Sequence, residues 1–507
     1  MKKTFLLALL GSLILSCQKS VDSSADIVPK VASVKSTDGH LSLSDGFYFD
    51  IQNPELDGLA DIFANDHYML TGIKNGTSKT ATSIAIDIDQ QLGIEEYELT
   101  IDEQISLKGG SYAATSMGLV SILQLLDEQQ QLPKISIKDK PENGYRSLMI
   151  DLARGWHDIG VLKEIITLCK WYKINYLHLH LTDDQSFTFP STAFPALVTK
   201  DRSFTLEGLK ELNEYAHDRG VTLVPEIDVP GHSTQFIRKM PDLFGIGDPK
   251  KNSYTISMGK EVVYEALNTI IDEIADVFKY SPYIHIGGDE AFFTGMEDDP
   301  ETLAYMKNNN IPNLDELFRH FLVRLNDMVR SNGKQTIVWA GFGEEGEIEI
   351  PKNIITMLWE SQYYDPQQLI DDGFQVINAS FKPLYVVNNR KWEADHIYSN
   401  WNLRRWESWG SPEPNNGVEV IDKNNQLMGA TMCVWEQNQI NQIHRLRERL
   451  PAMVEHLWFG DANELTDFKK RLANTDKKLT RLLKPFEVHV TGKNYPEMTE
   501  GNFYEHL

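Results

Sequence analysis

The sequence predicts an α/β protein, a (β/α)8 TIM barrel preceded by a small α/β domain. From Tyr145 onward, apolar strand-like runs alternate with amphipathic stretches of helical spacing. The runs are continuously apolar, as strands of a parallel sheet covered on both faces must be. Carboxylates and tryptophans cluster at the ends of these runs, where barrels of this class hold their chemistry. A chain of 507 residues, 41% hydrophobic and 24% charged, is long enough and ordinary enough for such a barrel plus a second domain. Its formal net charge of −24 argues against nucleic acid as a partner, because nothing here neutralises a phosphate backbone.

The first element is the start, "MKKTFLLALLGSLILSCQKS". Two lysines precede an apolar stretch too short to span a bilayer, which reads as an export signal over residues 1–17. Ile14-Leu15-Ser16-Cys17 resembles a lipobox, with Cys17 as the lipidated residue. The expectation is an exported protein that meets the membrane only through this lipid anchor, in the periplasm or at the outer membrane or cell surface. Cys169 and Cys433 are the other cysteines, so no disulfide framework is implied. Residues 18–40, rich in Ser, Asp, Lys and Val, read as a tether.

Residues 41–140 read as the small α/β domain. "YELTIDE" and "ISLKG" have the alternation of paired strands, and "SYAATSMGLVSILQLLDEQQ" carries apolar residues at helical spacing. The barrel is expected over 141–480, followed by a tail over 481–507. Its strands are read at 145–153, 174–182, 221–229, 283–288, 335–341, 353–359, 374–380 and 429–435, with helices such as 161–173, 205–219, 259–279 and 313–331 between them. An open doubly wound sheet is the competing arrangement, but no dinucleotide or P-loop glycine pattern accompanies it.

Read at the strands, the candidates are Arg146 within the first, Asp183-Asp184 after the second, and Glu226, Asp228 and His232 after the third. The fourth ends in "HIGGDE" with Asp289-Glu290, the fifth in Trp339, the sixth in Trp359-Glu360 and the eighth in Trp435-Glu436. Such a set suits a sugar, since indole faces stack on pyranose rings while carboxylates bind hydroxyls. Ordinary retaining glycosidases hold two carboxyls roughly 5–5.5 Å apart across the scissile bond. Sequence neighbours cannot easily straddle a sugar in that way. They serve one reaction if Glu290 donates the proton and Asp289 holds a part of the substrate that acts as nucleophile, such as a 2-acetamido group. Ionised Asp289 is then expected to raise the pKa of Glu290 and keep it protonated. His178 and His180 in "HLHL" also have the spacing of a metal site, completed by Asp289 or Asp183, although buried structural histidines commonly produce the same pattern.

"HIGGDE", "HLHLTDDQSF", "PEIDVPGHS" and "KPENGYRSLMIDLARG" together strongly resemble the family 20 glycoside hydrolases, the β-N-acetylhexosaminidases, over about residues 45–480. The resemblance implies exo-acting hydrolysis of terminal N-acetylglucosamine or N-acetylgalactosamine from oligosaccharides or glycoproteins. It implies substrate-assisted retention through an oxazolinium, with no metal or cofactor. Under it Glu290 is the general acid/base and Asp289 orients the acetamido nitrogen. Arg146 grips the hydroxyls of the non-reducing sugar, with Asp183 or Asp184 and His232 as its supporting polar shell. Trp339, Trp359 and Trp435 form aromatic walls, Tyr385 bonds the acetamido oxygen, and Glu436 contributes to substrate binding.

Two positions depart from the family. Tyr385-Val386-Val387 stands where many members read Tyr-Leu-Asp, and Trp435-Glu436-Gln437 where many read Trp-Gly-Glu, which bears on recognition of O4 and O6. The long connection over 381–427 carries Trp392, Trp401, Trp406 and Trp409 with Arg390, Lys391, Arg404 and Arg405, a composition that fits either a self-packed loop with solvated charges or a functional loop binding an anionic substituent such as a 6-sulfate.

Overall fold

The computed structural model describes residues 25–75, 80–247, 252–387, 392–407, 418–421, 425–460 and 464–485. The expected signal with Cys17, Arg390, Lys391 and Trp409, and the tail beyond 485 lie outside the described residues.

The first domain is a six-stranded mixed sheet. Its strands are β1 (Ser33–Ser42), β2 (Phe47–Ile51), β3 (Thr82–Ile88), β4 (Tyr97–Ile101), β5 (Ile105–Gly109) and β6 (Gln131–Asp139), in the spatial order β1-β6-β4-β5-β3-β2. The tether expected over 18–40 is therefore corrected for its described part, residues 25–40. Ile27 and Val28 are fully buried, the Gln124 amide bonds both the N–H and the carbonyl of Val28, and β1 pairs antiparallel with β6. "SVKSTDGHLS" is an edge strand with both faces largely in water, so it carries no alternation by which it could be recognised. The helix Tyr112–Leu125, capped by the Ser111 hydroxyl, is buried nearly all round because it lies between the sheet and the barrel. Ser116 reaches the Arg219 carbonyl, and Gln124 reaches that of Trp171.

The second domain is the predicted barrel. Strands β7 (Tyr145–Asp151), β8 (Tyr176–His180), β9 (Thr222–Glu226), β10 (Tyr283–His285), β11 (Gln335–Trp339), β12 (Ile355–Leu358) and β13 (Gln375–Asn378) pair in parallel, each with the next. After the short β14 (Tyr385–Val386) and the antiparallel pair β15 (Arg405–Glu407) and β16 (Val418–Val420), strand β17 (Leu427–Val434) joins β13 to β7 and closes the ring. The interior is filled by Tyr145, Met149, Val224, Ile337, Met357, Ile377 and Cys433, a packed core and not a pore. Crossover helices, among them Ile159–Trp171, Leu206–His217, Glu261–Val277 and Leu314–Ser331, cover the outside. The last helix, Leu465–Leu483, runs past the expected end of the barrel at 480 and packs on helices Asp57–Thr71 and Ile159–Trp171. Among the described residues, no helix is long and apolar enough to cross a membrane.

In the connection before β17, Trp401 and Trp406 are core residues, and Arg405 is taken by Glu407 and the Asn400 carbonyl.

Candidate active site

The "HIGGDE" stretch is a backbone device before it is a chemical one. Strand β10 stops at His285, and Gly287 and Gly288 adopt φ of +72° and +108°, values open to glycine and strained for other residues. A Cβ on Gly287 would collide with the Asp228 carboxylate, and one on Gly341 would collide with the Gly288 carbonyl. The two glycines therefore let the chain turn tightly against its neighbours and deliver Asp289 and Glu290 to the barrel mouth. Glu290 itself has a left-handed φ of +46°.

That mouth is a cavity of about 780 Å³ at the carboxyl ends of the strands. Of the residues expected there, Asp184, Asp228, His232, Asp289, Glu290, Trp359, Glu360, Tyr385, Trp435 and Glu436 line it, together with Val387. Trp339 is not a wall. It is buried beneath the site and donates its indole N–H to Glu226 at 2.6 Å. Asp183 is also just below the surface, 2.6 Å from Arg154 Nη2 and 2.9 Å from His180 Nε2.

Arg146 is a correction. It is the second residue of β7, at the amino end of the barrel, and its guanidinium points away from the mouth. There it is fully buried, 2.7 Å from Glu95 Oε1 and donating to the carbonyls of Asn143 and Lys173. The arginine in the cavity is Arg154, just past the strand's carboxyl end. The strand-end rule itself carried that signal. Phe292 and Tyr363, also in the lining, stand in the loops that follow β10 and β12, where the strand-end rule could have found them, whereas Tyr254 lies after helix Pro241–Phe244 and left no signal of that kind.

A chain of polar contacts runs from the barrel core to the mouth. Glu226 Oε2 lies 2.6 Å from His180 Nδ1, His180 Nε2 contacts Asp183, Asp183 Oδ1 is 3.4 Å from His232 Nδ1, and His232 Nε2 is 3.3 Å from Glu290 Oε2. Both nitrogens of His180 face carboxylates, so both must donate. Burial opposes a charge there, but Glu226 and Asp183 raise this imidazole well above its ordinary value. His285 Nδ1, 3.2 Å from Glu226, instead accepts the Gly287 N–H, and burial holds this imidazole down to about 4, hence neutral.

The electrostatics reverse one expectation. Burial, opposed by His232 and assisted by Glu290, pushes Asp289 up to about 6. Burial and then Asp289 raise Asp228 well above the carboxylate range. Glu290 is lowered, first by the hydrogen bond from His232. His232, although disfavoured as a cation by burial, is raised well above its ordinary value by Asp183, Asp228 and Glu290. In the unliganded site the proton of the His232–Glu290 pair thus rests on the imidazole, and ionised Asp289 is not what sets Glu290. Among the described residues, Asp228 Oδ1, Asp289 Oδ1 and Trp359 Nε1 are buried at this site without hydrogen-bond partners. In a finished fold such atoms ask for a ligand.

Paired carboxylates under aromatic walls, at the strand ends of a (β/α)8 barrel, place the protein among the glycoside hydrolases. Residues 144–461 match the catalytic domain of glycosyl hydrolase family 20, and residues 24–140 match domain 2 of that family. The chain belongs to family 20. It is similar to the beta-hexosaminidase subunit alpha of Mus musculus, 26% identical over 419 residues that cover 76% of this chain and 75% of that one. It is also similar to the beta-hexosaminidase of Porphyromonas gingivalis, 24% identical over 507 residues covering 90% and 64% of the two chains. The exo beta-N-acetylglucosaminidase of Vibrio harveyi, solved with N-acetylglucosamine, shares the fold with a TM-score of 0.78 at 22% identity, covering 90% of this chain and 78% of that one.

Proposed function

We propose that the protein is an exo-acting β-N-acetylhexosaminidase that releases terminal N-acetylglucosamine or N-acetylgalactosamine from oligosaccharides or glycoproteins by substrate-assisted, retaining hydrolysis. One observation carries the mechanism: neighbouring carboxylates with separate environments, Asp289 with a buried, unpartnered oxygen and Glu290 half exposed against His232.

Trp359, Tyr385 and Trp435 enclose the 2-acetamido group, and ionised Asp289 accepts its N–H. The acetamido carbonyl oxygen attacks C1 as the bond from C1 to the leaving oxygen breaks. Glu290 protonates that oxygen, drawing on the proton it shares with His232. The oxazolinium so formed carries its charge beside Asp289, which is placed where positive charge develops. Water then attacks C1, Glu290 takes its proton, and the acetamido group is restored with retention. Arg154, held by Asp151 and Asp183, faces the sugar hydroxyls. Val387 takes the place of a carboxylate near O4 and O6, which supports acceptance of both hexosamine epimers.

The test is Glu290→Gln against 4-nitrophenyl β-N-acetylglucosaminide and N,N′-diacetylchitobiose. The amide keeps the shape without the proton, so kcat should fall about 10²–10⁴-fold on the disaccharide, with a smaller loss on the aryl glycoside, whose leaving group needs less protonation. Equal loss on both substrates, or comparable wild-type turnover of a plain β-glucoside, would count against the reading. The basic, then apolar, then Cys17 pattern supports export and lipid anchoring. Cys17→Ser should shift the protein from the membrane to the soluble fraction, and an unchanged distribution would refute the anchor.

A further inference from the structure

Two residues beyond Glu290, the ring of Phe292 stands 58% exposed on the lip of the same cavity. Its backbone N–H donates to the buried Thr255 hydroxyl at 3.2 Å, and the Thr255 and Tyr254 N–H groups are anchored in turn on Asn252 Oδ1 at 2.9 Å. Tyr254 packs against Phe292, with centroids 5.4 Å apart and planes at 42°, while its hydroxyl lies 3.0 Å from His232 Nε2. The adjoining loop is brought close by Gly231, whose missing Cβ would lie 2.7 Å from the Asp289 carbonyl. The ring is therefore fixed in place relative to the carboxyl of Glu290 without being buried by the fold.

Position then defines what can touch it. The proton of Glu290 goes to the glycosidic oxygen, so whatever is attached beyond that oxygen leaves the cavity past Glu290, where Phe292, among the described residues, is the exposed aromatic of the lining. A pyranose offers an apolar C–H face to such a ring. We propose that Phe292, backed by Tyr254, is the platform for the leaving sugar, a β-linked pyranose seated on the departing side of the scissile bond. The proposal rests on the hexosaminidase reading and adds to it a residue that selects the aglycone.

The experiment compares N-acetylglucosaminyl fluoride, which has no aglycone, with N,N′-diacetylchitobiose, in wild type and in Phe292→Ala, Phe292→Trp and Phe292→Leu. In Phe292→Ala the ratio of kcat/KM for the disaccharide over that for the fluoride should fall about tenfold, as expected for loss of one stacked ring. Phe292→Trp should restore the ratio, and Phe292→Leu, which keeps bulk without a π face, should not. A ratio unchanged in Phe292→Ala, or restored equally by leucine, overturns the proposal. Failure of the underlying reading looks different: wild type would then turn over neither substrate. Because the ring is exposed, the thermal melt of Phe292→Ala serves as the control for intact folding.

Discussion

Asp289 carries two opposed demands, and pH separates them. To balance an oxazolinium it must be ionised, yet burial pushes it up to about 6. Activity should therefore fall as pH drops through about 6, giving kcat/KM an acid limb there, while the raised His232 keeps the shared proton available above neutrality. Stability has the opposite sign. A folded value above the unfolded one of about 3.9 means this group favours the folded state fully below about pH 4, and that contribution is lost as pH rises through 6. Asp289→Asn should abolish most activity and melt higher relative to wild type at pH 7 than at pH 4. An acid limb below pH 4.5, or a melting difference independent of pH, would refute the assignment. That Asp289 and Glu290 are neighbours is written in the chain; which of them holds a proton depends on His232, delivered by a different strand.

At the scale of elements, the turn after β10 is tuned by glycines elsewhere. Gly341, after β11, faces the Gly288 carbonyl with no room for a methyl group, and its Cβ would also lie 3.0 Å from the Asp289 Cα. Gly341→Ala must displace the turn that bears both carboxylates. We expect about 10²-fold loss in kcat, with a stability cost of about 1–3 kcal/mol typical of overpacking, measured by initial rates and urea unfolding. Full activity would show that the turn yields freely. The barrel strands were legible because burial on both faces leaves continuous apolar runs. β1 was not, because an edge strand in water has the composition of a linker.

The whole molecule is tied together by a buried ion cluster far along the chain from the active site. Arg471, on the last helix, pairs with Glu455 and with Asp467 at 2.8 Å and donates to the Ile27 carbonyl at 2.8 Å. Arg471→Leu leaves Glu455 buried without its cation, which should cost about 3–5 kcal/mol in urea unfolding, and a compensating Glu455→Leu should recover much of it. Activity at low temperature should survive in both variants, since the cluster is remote from the cavity lining. A single variant as stable as wild type would mean that water reaches Glu455.

What the sequence determined by itself is what covalent order and periodicity carry: the alternation of strand and helix, the position of each strand end, and the adjacency of Asp289 and Glu290. These are local, so neighbouring residues suffice to state them. The tertiary structure decided which arginine reaches the substrate, since Arg146 and Arg154 belong to the same strand and turn but face opposite ends of the barrel. It also decided that Trp339 is a floor, that residues 25–40 are fold and not tether, and that the His232–Glu290 proton rests on the imidazole. Each of these follows from burial and from partners distant in sequence, and the free energy of a buried charge depends on all of them at once.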